Sequence, residues 1–237
     1  MIVIAIDGPA ASGKSTTARL VAQEMGFLHL DTGAMYRAVT LACMQAGLPP
    51  EESARLAKLL ATLEIQFQPE AEGGQSVRLN GSLVTEDIRR PDVTRQVSAY
   101  SALPGVRESM VKLQRQIGQE HDVVCEGRDI GTQVFPDAQF KFYLVADLKV
   151  RAQRRFEEQL RKGLKPSIET IIAELEKRDR EDTLREHSPL KQADDAMAVD
   201  TTTLTIPAQV EFVLSKIQAG RKKVDQTHRT KETWTSQ

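Results

Sequence analysis

Gly8-Pro9-Ala10-Ala11-Ser12-Gly13-Lys14-Ser15 places glycine, glycine, lysine and a hydroxyl at the four fixed positions of the pattern G-x-x-x-x-G-K-[ST]. That spacing has a definite chemistry. The glycines let the backbone curl until its N–H groups converge on phosphate oxygens at the start of a helix. Lys14 reaches the β- and γ-phosphates of a nucleotide, and the Ser15 hydroxyl completes the oxygen shell of a Mg²⁺ ion. With Thr16 just inside the helix, residues 8–16 form a candidate ATP site. The plain alternative is a glycine-rich turn needed only for tight packing. It is disfavoured by context, because the pattern follows a strand-like run and opens a helix-like one.

Such a loop serves GTPases, motor-type ATPases and small-molecule kinases alike. A GTPase needs Asp-x-x-Gly and Asn-Lys-x-Asp, and neither string occurs in the chain. A motor-type ATPase has an apolar strand ending in Asp or Asp-Glu, whereas Val123-Val124-Cys125 ends in Glu126-Gly127-Arg128-Asp129. That ending suits an arginine set beside a phosphate. A second strand-like run ends in Asp31-Thr32-Gly33, with Tyr36 and Arg37 one turn into the next helix. In an open parallel sheet, ligands bind beyond the carboxyl ends of the strands. The edge therefore offers two sites, one for a donor and one for a second phosphorylated ligand. Arg151, Arg154 and Arg155 share one helix face, and such a stripe of like charge repels unless an anion compensates it. Arginines over a transferring phosphoryl group supply the charge stabilisation its chemistry requires. Arg178, Asp182 and Arg185 share a face of the next helix, where an internal ion pair is an equally good reading.

These residues need a frame. Ile2–Ile6 is a short apolar run of the kind that forms a buried parallel strand, and 14–25 has helical spacing up to Gly26. Further strands are expected at 27–30, 122–125, 141–145 and 196–199, and helices at 33–45, 51–63, 106–119, 148–162, 167–186 and 206–218. Residues 64–86 instead alternate apolar and polar around Gly73-Gly74 and Asn80-Gly81, the mark of a small antiparallel insert. Alternating strands and helices predict an α/β fold with a parallel sheet covered on both faces. Residues 221–237 are polar and rich in Lys and Thr, and are expected to be disordered.

Composition narrows the class. The 237 residues suffice for one α/β domain, and a net charge of −1 provides no bulk field for nucleic acid. Cys43 and Cys125 have no metal-type spacing, and the four histidines are scattered, so no zinc site is expected. No apolar run is long enough to span a bilayer, and the N-terminus lacks the pattern of a signal peptide. A cytoplasmic protein without nucleic-acid or membrane partners is expected.

Six segments in order resemble the bacterial cytidylate kinases of the P-loop nucleoside monophosphate kinase group. They are Ile6-Asp7-Gly8-Pro9, Asp31–Arg37, Glu126–Thr132, Val134–Ala138, Arg151–Arg155, and Arg178-Asp179 with Asp182, Arg185 and Ser188-Pro189-Leu190. The similarity runs to about residue 219. It implies a P-loop NTPase-type five-stranded parallel sheet flanked by helices, a single kinase domain over 1–219, a β insert at 64–86 in the monophosphate-binding part, and a helical lid at 151–165. It further implies ATP as phosphoryl donor with Mg²⁺, and CMP, with dCMP, as acceptor in a monomeric enzyme. By position, Ser98, Arg107 and Asp129 resemble the residues that meet cytosine. Thr32, Tyr36, Arg37 and Arg128 fall in the acceptor site, Arg178 and Asp182 resemble the ribose contacts, and Arg185 a phosphate clamp. Between Asp182 and Arg185 the chain has Thr183-Leu184 where the family often has a more polar pair, a departure from the family pattern beside Arg185. Lys14, Arg128 and the lid arginines Arg151, Arg154 and Arg155 are the expected catalytic group. UMP as acceptor, or a nucleotide-binding module without turnover, remain the alternatives.

Overall fold

Val3–Asp7 (β1) is buried at every position, and its side chains divide between two cores. Ala5 joins one apolar cluster while Ile4 and Ile6 join the other, as the two-residue period of a strand requires. The computed structural model describes residues 1–69 and 75–234. β1 is followed by α1 (Lys14–Met25), β2 (Leu28–Asp31), α2 (Thr32–Gln45) and α3 (Ala54–Ala61). Next come β3 (Ile65–Pro69), β4 (Gln75–Leu79), β5 (Ser82–Leu83), a 3-10 turn at Asp87–Arg89, α4 (Pro91–Ser101) and α5 (Pro104–Glu120). The second half holds β6 (Val123–Gly127), a π-helical turn at Ile130–Val134, β7 (Phe140–Val145), α6 (Leu148–Arg161), α7 (Ile168–Leu184), β8 (Met197–Asp200) and α8 (Ile206–Trp234).

The main sheet has the order β2-β6-β1-β7-β8 and is parallel throughout. Residues of α1 and α8 cover one face around Val124, Phe142 and Leu144. Residues of α2, α4 and α5 cover the other around Leu30 and Cys125. The second sheet, β3-β4-β5, is antiparallel and is the expected insert. Its tight turn is Asn80-Gly81, with φ of 49° and 81°, the left-handed pair that suits a two-residue hairpin. The Gly73-Gly74 turn lies outside the described residues. Ile65, Val77, Leu79 and Val84 of the insert belong to the same apolar cluster as Met35 and Val39 of α2.

Three expectations need correction. The helix placed at 51–63 is shorter, because Ser53 caps it by accepting from the Leu56 amide and the chain enters helix at Ala54. Helix α4 had no counterpart in the sequence reading, although Val93, Val97 and Tyr100 form its buried stripe at helical spacing. The stretch read as disordered from 221 is helical through Trp234, since α8 does not end at Gly220. No Gly or Pro follows Gly220, and Lys, Arg, Gln and Glu propagate a helix already nucleated upstream. Residues 235–237 lie outside the described residues.

Candidate active site

The chain leaves β1 through Gly8, whose φ is 145°. A Cβ there would lie 2.1 Å from the Leu144 carbonyl oxygen of neighbouring β7, so only glycine fits. Ala11 (φ 59°) and Gly13 (φ 96°) complete the curl, and Gly13 is the N-cap of α1. Lys14 is buried and its Nζ donates to the Pro9 carbonyl at 2.7 Å, folding the side chain back over the loop. Burial first, then the Arg128 guanidinium, pulls its ammonium down to about 7. An anion is what such a lysine lacks. Among the described residues the buried Ser12 hydroxyl also has no hydrogen-bond partner.

The Ser15 hydroxyl donates to Glu126 Oε2 at 2.6 Å, and His29 Nε2 stands 3.1 Å from Glu126 Oε1. Glu126 is the next-to-last residue of the apolar β6 strand and stands outside the expected site residues. The signal was there, an acid at the end of a buried strand, but Asp was the residue sought. Two hard oxygens this close, one hydroxyl and one carboxylate, fit a Mg²⁺ that takes one or two protein ligands and shares the rest with phosphate and water.

The acceptor candidates gather on the same edge. β1 and β6 pair in parallel with Asp7 opposite Gly127, so Gly8 and Arg128 leave the sheet side by side. Asp7 fixes that junction: its two oxygens accept the amides of Ile130 at 2.9 Å and Gly131 at 2.8 Å, and burial still pushes its carboxyl up to about 6. Arg128 Nε is 2.8 Å from Asp182 Oδ2, and Arg178 Nε is 4.0 Å from the same oxygen. Arg37 pairs with Asp31 at 3.2 Å. The Thr32 hydroxyl donates to the Glu126 carbonyl at 2.7 Å, which leaves it only lone pairs for a ligand.

Asp129 is buried in an ion pair with Arg107, and Arg185 Nη2 stands 3.7 Å from its other oxygen. The Arg107 guanidinium lies over the Tyr36 ring, 5.4 Å from its centroid, and burial pushes the Tyr36 hydroxyl up to about 12. Ser98 is half-buried on α4, and among the described residues no hydrogen bond joins its hydroxyl to Arg107 or Asp129. Tyr36, Arg107, Asp129 and Arg185 are therefore brought together. Thr32, Arg37, Arg128, Arg178 and Asp182 lie in adjoining ion pairs and strand ends.

The arginines expected in a lid divide. Arg151 is buried, donates to the Ala10 carbonyl in the phosphate loop at 3.2 Å and pairs with Asp179 at 2.7 Å. Arg154 bonds Thr201, at the end of β8, through both its hydroxyl and its carbonyl. Arg155 pairs with Glu158 on its own helix at 2.9 Å. Protein carboxylates, Asp179 and Glu158, thus compensate Arg151 and Arg155, while Arg154 is held by neutral oxygens of Thr201. Ala152 of α6 and Ile171 and Leu175 of α7 pack on Ala10, seating both helices against the loop.

A parallel sheet with a phosphate loop at its carboxyl edge, and a second set of guanidinium groups one strand away, defines a P-loop kinase with separate donor and acceptor sites. A family model described as cytidylate kinase matches residues 4–219. The chain belongs to the cytidylate kinase family. It is 49% identical to a cytidylate kinase of Enterococcus faecalis over 92% of this chain and 96% of that one. It is 45% identical to a cytidylate kinase of Bacillus licheniformis, over 94% and 98% of the two chains. A solved structure of a protein from Eubacterium ventriosum has the same fold, with a TM-score of 0.52 at 12% identity, covering 92% of this chain and 98% of that one.

Proposed function

We propose that the protein transfers the γ-phosphoryl group of ATP to CMP, and to dCMP, giving ADP and the corresponding diphosphate. The observation that carries this reading is the pairing of β1 with β6 in register, which sends the phosphate loop and Arg128 off adjacent strand ends and leaves buried Lys14 within the field of the Arg128 guanidinium. A donor and an acceptor phosphate held there meet across one crevice, and transfer needs no covalent enzyme intermediate. Ser15 and Glu126 would hold Mg²⁺, which would supply charge neutralisation for the transferring phosphates. The chain does the rest by positioning. Lys14, drawn toward neutrality by burial, regains its charge beside phosphate oxygens. Arg128 and Arg37 leave Asp182 and Asp31 for the acceptor phosphate, a trade of one charge-assisted hydrogen bond for another. Asp129 and Arg107 offer an acceptor and donors to a base, which matches the N4 amino group and the O2 and N3 acceptors of cytosine. Uracil would turn a carbonyl toward the carboxylate.

An ADP-release assay across CMP, dCMP, UMP, AMP and GMP tests the reading. CMP and dCMP should turn over fastest, with UMP lower by up to ~10⁴-fold. Equal rates with UMP and CMP would replace this assignment with a general pyrimidine kinase. Absence of ADP with every acceptor would leave a binding module.

A further inference from the structure

Helix α7 touches both halves of the crevice within one turn. At Asp179, Oδ2 takes the Arg151 guanidinium at 2.7 Å, and the same Arg151 nitrogen reaches the Ala10 carbonyl of the phosphate loop at 3.2 Å. Three residues on, Asp182 Oδ2 takes Arg128, the acceptor-side arginine, at 2.8 Å. Among the described residues the second oxygen of Asp179 is buried without a hydrogen-bond partner, and Nε of the adjacent Arg178 has only the 4.0 Å approach to Asp182. The charge of Asp179 is also felt by Arg128. Neither Asp179 nor its bond to Arg151 has a place in the chemistry derived above.

We propose that Asp179 is a positioning residue that couples the donor and acceptor sites, so that a nucleotide in one tightens binding in the other. The inference rests on the proposed donor and acceptor sites. A phosphate on either side competes for the guanidinium that anchors α7 there, Arg151 on the donor side or Arg128 on the acceptor side. Both anchors insert into the same helical turn, and a helix of 17 residues does not bend between positions one turn apart. Re-seating α7 for the first ligand therefore meets part of the cost of re-seating it for the second. That shared cost is a coupling free energy, and it must act equally in both directions.

Calorimetric titration measures it directly. CMP is titrated into the protein with and without a saturating non-hydrolysable ATP analogue with Mg²⁺, and the analogue is titrated with and without CMP. In the native protein each ligand should tighten the other by ~5-fold or more. Asp179→Asn should reduce that factor to below about 2 in both directions. Glu176→Gln removes the same charge from an exposed position of the same helix and should leave the factor unchanged. Melting curves of each variant, with the single-ligand affinities, separate coupling from damage to the fold. A structural role alone would weaken single-ligand binding and preserve the ratio, and that result would overturn the proposal. So would a native protein that binds both ligands independently. A native protein that fails to bind CMP at all would overturn the functional reading along with it.

Discussion

Both carboxylate oxygens of Asp129 already face arginines. Arg107 holds one oxygen in a buried pair, Arg185 stands near the other, and Tyr36 lies under the Arg107 guanidinium. Two roles follow from that crowding, a reader of the base and a scaffold for arginines, and one variant separates them. In Asp129→Asn the amide oxygen still accepts while the amide nitrogen can donate to O4 of uracil. A reader predicts a steep fall in kcat/KM for CMP and a much smaller fall for UMP, shrinking the ratio by roughly 10- to 100-fold. A scaffold predicts equal losses and a constant ratio. Steady-state kinetics with both acceptors on the one variant decides the matter.

Among the elements, the strand-to-helix turn after β1 has the least freedom. Gly8→Ala would drive a methyl group into the Leu144 carbonyl, and the fixed backbone of β7 has no room to retreat. Its φ of 145° is strained for any side chain as well. The variant should fall well below the native melting temperature and lose ATP affinity at least ~10-fold, read by thermal melts and nucleotide titration. This turn was also the most legible part of the sequence, because its demands are local and eight consecutive residues state them. Strands β1, β6 and β7 were legible because they are almost continuously apolar. Helix α4 escaped because it opens at Pro91 and follows loop-like residues, so its stripe of Val93, Val97 and Tyr100 passed unremarked. The pairs Arg151–Asp179 and Arg128–Asp182 were beyond reach for a different reason. Their partners lie far apart along the chain, and only the packing of α6, α7 and β6 decides which carboxylate meets which arginine. Glu126 lies between these cases, visible as a residue but recognisable only beside Ser15.

Across the molecule, arginine–aspartate pairs tie together elements that the sheet does not join. Asp182 shows what they mean for pH. Burial pushes its carboxyl up, but Arg128, then Arg178, and the hydrogen bond from Arg128 outweigh burial and hold it below the ordinary value. With the folded value below the unfolded one, ~3.9, the unfolded chain binds more protons between them. The stability from this group is therefore fully present above ~3.9 and lost as pH falls through the folded value. Asp182→Asn should lower the melting temperature at pH 7 by roughly 5–10 °C. The gap between native and variant should close as melts are repeated from pH 5 down to about 2.5. A gap independent of pH would mean that packing, not charge, is what the variant lost. Asp7 carries a different implication. By clasping the amides of Ile130 and Gly131, it welds the root of the phosphate loop to the turn that presents Arg128 and Asp129. The reacting ends of the two ligands are thus gauged by a single rigid block, while Ser98, Arg107 and Arg178 hang from α4, α5 and α7 outside it. The base reader proposed at Asp129 is cast in that same block, so a lineage or a protein engineer that alters base choice there must recalibrate transfer with it, whereas changes at Ser98, Arg107 or Arg178 leave the block untouched.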